Sequence, residues 1–83
     1  MRLDKFLKVS RVIKRRTVAN EACDSGRVVI NGKIAKASTE VKIGDVIEIK
    51  YGEKIIKFRV RNIAAVVAKD AASEMVDFLT NED

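Results

Sequence analysis

Histidine, proline and tryptophan are absent from this 83-residue chain, and cysteine occurs once, at Cys23. Without histidine there is no His general base, no Ser-His or Cys-His nucleophile pair and no His metal ligand. A single cysteine excludes an intramolecular disulfide and a CxxC zinc cluster, and it suits a reducing cytoplasm. These absences favour a binding protein over an enzyme, and no cofactor is expected.

Long apolar runs are missing as well. No stretch approaches the roughly 18 consecutive apolar residues of a membrane span, and residues 1–10 are charged and amphipathic. We therefore expect neither a membrane segment nor a signal peptide. No P-loop or GxGxxG motif is present, and no small-molecule substrate is expected. A chain of 83 residues has room for one core, so we expect one small cytoplasmic domain.

Basic residues are concentrated at one end of the chain. Residues 1–16 contain seven basic residues and one acidic residue, a net charge of +6 that exceeds the +5 of the whole chain. Residues 62–83 contain one basic and five acidic residues, a net charge of −4. Clustered cations attract polyanions and raise association rates. This dense cluster favours a nucleic-acid partner over charges that serve solubility alone.

The spacing of apolar residues predicts two N-terminal helices. Leu3, Phe6 and Leu7 lie at i, i+3 and i+4, on one face of a short first helix. A short turn follows over residues 9–13, and a second helix runs from about residue 15 to residue 25. The apolar face of this second helix consists of Val18, Ala19, Ala22 and Cys23.

After Arg27 the apolar period changes to two, which predicts a mainly antiparallel sheet. Asn31-Gly32 follows an apolar run and indicates a hairpin with a type I′ turn. Residues 46–50 and 55–61 alternate apolar and charged side chains and predict a second pair of strands.

The C-terminal part of the chain has apolar residues at helical spacing. Ala72, Met75, Val76 and Leu79 predict a helix over residues 71–79. The predicted fold class is therefore α+β: two helices packed on a small antiparallel sheet, plus a C-terminal helix. We expect a domain over residues 1–61 and an extension with a short acidic helix over residues 62–83.

Nine cations are candidate contacts for a polyanion. Those of the first helix lie opposite its apolar face. Cations at the start of the second helix oppose the helix dipole at a cost of a few tenths to about 1 kcal/mol each. An unfavourable local choice of this kind points to binding, and the planar fork of Arg pairs with phosphate. The candidates are Arg2, Lys5, Lys8, Arg11, Lys14, Arg15, Arg16, Arg27 and Lys33.

Other interpretations of the same residues stay open. Arg27 and Lys33 flank the hairpin, where we expect them to lie close together; they extend the basic surface or discourage edge-to-edge aggregation. The cations of the last strand mark its solvated face. Two N-terminal helices also occur in helix-turn-helix proteins. However, Asn20 is the only natural base-reading side chain of the second helix, whereas major-groove readers present several.

Four motifs occur in a characteristic order and spacing: Arg2-Leu3-Asp4-Lys5-Phe6-Leu7, Lys14-Arg15-Arg16 with Ala19, Gly26-Arg27-Val28-Val29-Ile30-Asn31-Gly32-Lys33, and Gly44-Asp45-Val46-Ile47. Together, over about residues 1–50, they resemble the RNA-binding domain named for ribosomal protein S-four. The resemblance implies an RNA surface of the αL type, made by the two helices and the hairpin. One departure is Arg15, where the family has a Ser or Thr helix cap.

The resemblance also assigns roles to residues. It implies RNA contact for Arg2, Lys5 and Arg16 first, and for Arg15, Arg27 and Lys33 second. The core positions that it implies are Leu3, Leu7, Val28, Ile30 and Val46.

The short length and acidic end resemble small stand-alone members of the family that act in ribosome-associated quality control. The resemblance implies binding to large-subunit ribosomal RNA and peptidyl-tRNA on an obstructed subunit. It also implies assistance to RqcH, which adds alanine tails to the nascent chain, without catalysis by this chain. Two alternatives remain open: a ribosome-assembly or tRNA accessory factor, and a basic protein-interaction module.

Overall fold

The computed structural model describes residues 1–63 and 75–79. Within these residues the chain forms two helices followed by five strands. Their bounds are α1 Leu3–Val9, α2 Arg16–Asp24, β1 Val28–Ile30, β2 Lys33–Ile34, β3 Val46–Tyr51, β4 Lys54–Val60 and β5 Val76–Phe78. All neighbouring strands are antiparallel, in the order β2-β1-β3-β4-β5. The predicted α+β class, with two helices and an antiparallel sheet, is confirmed.

The first helix begins without a side-chain cap. Arg2 stands in the capping position and forms no cap hydrogen bond. Instead, the loop before β3 accepts the first backbone N–H groups, with Leu3 N donating to Thr39 O at 2.8 Å and Asp4 N to Ala37 O at 3.2 Å. The first N–H groups of a helix have no partner inside it, so this loop replaces the missing cap and ties α1 to the sheet.

The second helix is one residue shorter at each end than predicted, and Arg15, in the capping position, forms no cap hydrogen bond. At its other end Gly26 has φ +80, the left-handed conformation that favours glycine just after a helix. The link between the helices also turns as predicted. Ile13, 3% exposed, fixes this link in the core, and its backbone N–H donates to Leu7 O at 3.1 Å.

The predicted hairpin joins β1 and β2 at Asn31-Gly32. These two residues have φ 51 and φ 86, as a type I′ turn requires. The Asn31 side chain also joins this turn to the start of β3: its Nδ2 donates to Asp45 Oδ1 at 3.1 Å, and its Oδ1 accepts the Val46 N–H at 2.9 Å.

One face of the sheet carries the core and packs against the helices. Ile47, Ile49 and Phe58 are fully buried on it, and Phe58 stacks on Phe6 of α1 with ring centroids 6.4 Å apart. Successive strand residues point to opposite faces, so Val46 lies on the other face and is only partly buried. The core position that the family resemblance implied for Val46 is therefore wrong, and Ile47 fills that role.

The predicted C-terminal helix is absent from residues 75–79. Val76–Phe78 form β5, with Val60 opposite Val76 and Phe58 opposite Phe78. Apolar residues at short spacing fit a helix or a strand equally well, and here pairing with the edge of β4 satisfies the backbone of both strands. The buried Met75 adds to this pairing, because its carbonyl oxygen accepts the Arg61 N–H at 2.7 Å. The rest of the predicted helix, residues 71–74, lies outside the described residues.

Candidate nucleic-acid interface

Seven of the nine predicted contact residues lie on or next to the two helices. Six of them are exposed, and Lys5 is partly buried. Arg2 precedes α1, Arg11 and Lys14 belong to the link, and Arg16 opens α2. We call these seven the α1–α2 surface: Arg2, Lys5, Lys8, Arg11, Lys14, Arg15 and Arg16.

Asp4 joins the two helices beneath this surface. Its side chain is only 3% exposed, and Oδ1 accepts the Lys5 backbone N–H at 2.8 Å. Arg2 donates from Nε to Oδ1 at 3.2 Å and from Nη2 to Oδ2 at 3.4 Å. From α2, Arg16 Nη2 donates to Oδ1 at 3.4 Å, and Asn20 Nδ2 donates to Oδ2 at 3.3 Å. Arg2 and Arg16, which lie fourteen positions apart in the chain, thus share one carboxylate.

The hydrogen bonds keep Asp4 ionised. Burial alone would raise the pKa of this carboxyl, but donors from Asn20, Arg16 and the Lys5 backbone outweigh burial and hold the pKa below its ordinary value. A buried carboxylate that stays charged provides a fixed anchor for both arginines.

Arg2 and Arg16 keep donors for a second partner. A guanidinium has five N–H groups, and Asp4 takes two from Arg2 and one from Arg16. Their side chains remain 53% and 48% exposed. The remaining donors are in reach of solvent and are suited to phosphate oxygens.

The structure does not bring Arg27 and Lys33 together. Lys33 lies opposite Ile30 at the turn end of the hairpin, whereas Arg27 precedes β1 at the other end. Three strand residues separate the two positions, or about 10 Å at 3.3 Å per residue. The expectation that these cations are close neighbours is therefore wrong. Arg27 instead donates from Nε to Ser25 Oγ at 2.8 Å, beside the end of α2.

Two residues that hold this surface in place, Asp4 and Asn20, were not predicted to do so. From the sequence, Asp4 had no assigned role in this surface, and Asn20 stood only as a possible base reader. The only sequence signal was the lone acid among the cations of residues 1–16. Its partners on α2 follow 12 and 16 residues later, beyond any local pattern.

Residues 1–47 match the S4 domain family, the family named for ribosomal protein S-four. The chain belongs to the S4 domain family. The resemblance described above is thereby confirmed. The match includes both helices, the hairpin and the loop that caps α1, so it covers every residue of the α1–α2 surface and both hairpin cations.

Two relatives extend the S4 domain match over nearly the whole chain. The RQC P-site tRNA stabilizing factor of Halalkalibacterium halodurans is 49% identical over 82 residues, which cover 99% of this chain and 93% of that protein. The factor of the same name from Bacillus subtilis is also 49% identical over 82 residues, covering 99% and 95%. These factors are also called RqcP, and the resemblance to family members that act in ribosome-associated quality control is thus confirmed.

Solved structures support the fold of this S4 domain protein. Heat Shock Protein 15 of Vibrio cholerae, described as trimeric, superposes with a TM-score of 0.85 at 29% identity and covers 94% of this chain and 80% of that one. The solution structure of hypothetical protein HP1423 gives a TM-score of 0.81 at 37% identity, covering 99% and 100%.

Metal-binding clusters and membrane-spanning helices are both missing from the described part of the chain. Residues 1–63 and 75–79 contain no group of three or more Cys, Asp and Glu side chains placed to hold a metal ion. No helix in those residues is both long and apolar enough to cross a bilayer.

Proposed function

We propose that this S4 domain protein binds the large ribosomal subunit through its α1–α2 surface, in contact with ribosomal RNA and with the P-site peptidyl-tRNA. By holding that tRNA on an obstructed subunit, it assists RqcH-dependent alanine tailing of the stalled nascent chain. It works in the cytoplasm, by binding and not by catalysis.

One observation carries the proposal: Arg2 and Arg16 are oriented by a shared buried carboxylate and still face solvent. Phosphate contacts need unused N–H donors, which both guanidinium groups keep, and arginines held in place lose little side-chain entropy when they bind. The names of the relatives supply the setting, because P-site tRNA stabilization requires contacts to tRNA on the ribosome.

A sucrose gradient tests the ribosomal part of the proposal. In a cell lysate we expect the protein to travel with free large subunits that carry peptidyl-tRNA, and to move to the top after ribonuclease treatment. Ribonuclease separates an RNA contact from a protein contact, which salt does not, because both weaken with salt. A protein that stays at the top at low salt would contradict the proposal.

Single substitutions test the residues. We expect Arg2→Ala and Arg16→Ala to lose co-migration with large subunits while their circular dichroism stays that of the parent. Arg59→Ala is the matched control, because Arg59 is exposed on β4, on the face of the sheet opposite the helices. If the folded Arg2 and Arg16 variants bind as well as the parent, these residues are not contacts.

Deletion of the gene tests the role in tailing. We expect alanine-tailed products of a stalled reporter to disappear in the deletion strain and to return with the parent gene but not with the Arg16→Ala gene. If tailing continues in the deletion strain although the protein of the parent strain binds large subunits, a role as a ribosome-assembly or tRNA accessory factor replaces this proposal.

A further inference from the structure

Val18 does not lie in the core, although its spacing places it on the apolar face of α2. Ala19, Ala22 and Cys23 on that helix are at most 5% exposed, whereas Val18 is 40% exposed. Each helix residue advances the direction of the side chain by about 100°, so Val18 points well away from its buried neighbour Ala19. An apolar side chain therefore reaches solvent within the α1–α2 surface.

Val18 forms one wall of a groove. The groove has a volume of about 370 Å³ and is lined by Val12, Ile13, Lys14, Arg15 and Val18. Ile13 is buried and Val12 is half-buried, whereas Lys14 and Arg15 are exposed. This volume lies at the lower end of the roughly 300–1,000 Å³ of small-ligand clefts. The groove is open to solvent and has room for one nucleotide.

The chemistry of the lining matches a nucleotide. The ion pairs formed among residues 1–63 and 75–79 involve neither Lys14 nor Arg15, so both cations are available to an anion. A nucleotide that leaves its stack presents the apolar faces of its base and ribose together with two flanking phosphates. Two valines beside two cations complement both parts, and proteins commonly recognise RNA through such unstacked nucleotides.

We propose that this groove binds a single unpaired RNA nucleotide, with its base and ribose on Val12 and Val18 and its phosphates on Lys14 and Arg15. The proposal rests on the proposed function, since it requires that the α1–α2 surface binds RNA. It adds a preference for an unpaired site, which phosphate contacts alone do not provide.

Two blunt-ended RNA duplexes of equal length and sequence test the groove, one fully paired and one with a single bulged nucleotide. We expect the parent protein to bind the bulged duplex roughly three- to tenfold more tightly, below the full effect of an aromatic stacking partner because the wall is aliphatic. With 2-aminopurine as the bulged base, binding is expected to change its fluorescence.

Three variants separate this inference from general RNA binding. Val18→Asn is expected to bind both duplexes with the same affinity, namely the affinity of the parent for the fully paired duplex. Ile43→Asn, at a residue 65% exposed in the loop before β3, is expected to keep the preference. Arg16→Ala is expected to weaken both complexes equally.

Two results would overturn the inference while leaving RNA binding intact: equal affinity of the parent for both duplexes, or an equal loss on both for Val18→Asn. A parent protein that binds neither duplex would overturn this inference. If that protein also fails to travel with large subunits at low salt, the proposed function is overturned with it.

Discussion

Asp4 joins the two helices and orients two arginines of the proposed binding surface. Its carboxylate is buried, is charged, and holds Arg2 and Arg16 together with Asn20. A buried charge is tolerated only when its hydrogen-bond capacity is filled, and five hydrogen bonds from four residues fill it here. The same bonds fix the two guanidinium groups at the surface. The one acidic residue of positions 1–16 therefore holds two arginines of the basic surface in place.

Replacing Asp4 tests both roles. We expect Asp4→Ala to lower the free energy of unfolding by about 1–3 kcal/mol, the range for lost hydrogen bonds to a charged group, discounted because both arginines are half-exposed. Large-subunit affinity is expected to fall as in Arg16→Ala, since neither arginine keeps its orientation. Urea unfolding and subunit co-sedimentation measure the two effects.

The control for Asp4 is Glu21→Ala, because Glu21 is an exposed acid on α2. Its replacement is expected to change the urea midpoint little. An Asp4→Ala protein with parental stability and parental binding would show that the carboxylate anchors neither helix nor arginine.

Acid tests the charge state of Asp4. Because its folded pKa lies below the unfolded value of about 3.9, ionised Asp4 contributes stability above that value and loses it as the pH falls through the folded pKa. We expect the difference in unfolding free energy between the parent and Asp4→Asn to be constant from about pH 7 to pH 5 and to shrink below roughly pH 4. A difference that does not change with pH would contradict a lowered pKa.

Secondary-structure elements were predictable where local chemistry decides them. Asn31-Gly32 specified its hairpin because both residues tolerate positive φ, and the apolar period specified α1 and α2. The conformation of residues 75–79 was not predictable, because their four apolar residues fit both a helical and a strand period. The partner that decides between them, the edge of β4, is distant in sequence. The hydrogen bonds of Asp4 to Arg16 and Asn20 were not predictable for the same reason, because they join two separate helices.

Hydrogen exchange tests β5. Arg61 N donates to Met75 O at 2.7 Å, and Leu79 N donates to Lys57 O at 2.8 Å. We expect both amides to exchange more slowly than the amide of the exposed loop residue Ser38, because exchange requires β5 to separate from β4. Rapid exchange at both positions would indicate that β5 is not a stable strand.

Across the described part of the molecule, cations lie on both faces of the sheet. The α1–α2 surface lies on the helix side of the sheet, whereas Lys57 and Arg59 lie on the opposite face of β4. Residues 1–61 carry a net charge of +9 and residues 62–83 carry −4. Electrostatic attraction therefore favours an approach of a polyanion toward the first 61 residues. Under the proposed function, the oriented arginines direct it to the helix side.

Salt dependence tests this arrangement on purified large subunits. The logarithm of the affinity falls with the logarithm of the salt concentration, and each lost phosphate contact makes this fall less steep by about one, because fewer counterions are released. We expect this decrease for Arg16→Ala and Lys14→Ala, and an unchanged slope for Arg59→Ala. Asp4→Asn separates charge from orientation. It removes a negative charge, so we expect the salt dependence to stay at least as steep as in the parent. The affinity is nevertheless expected to decrease, because Arg2 and Arg16 are no longer held. Parental affinity in Asp4→Asn would mean that the net charge of the surface, and not the orientation of its arginines, determines binding.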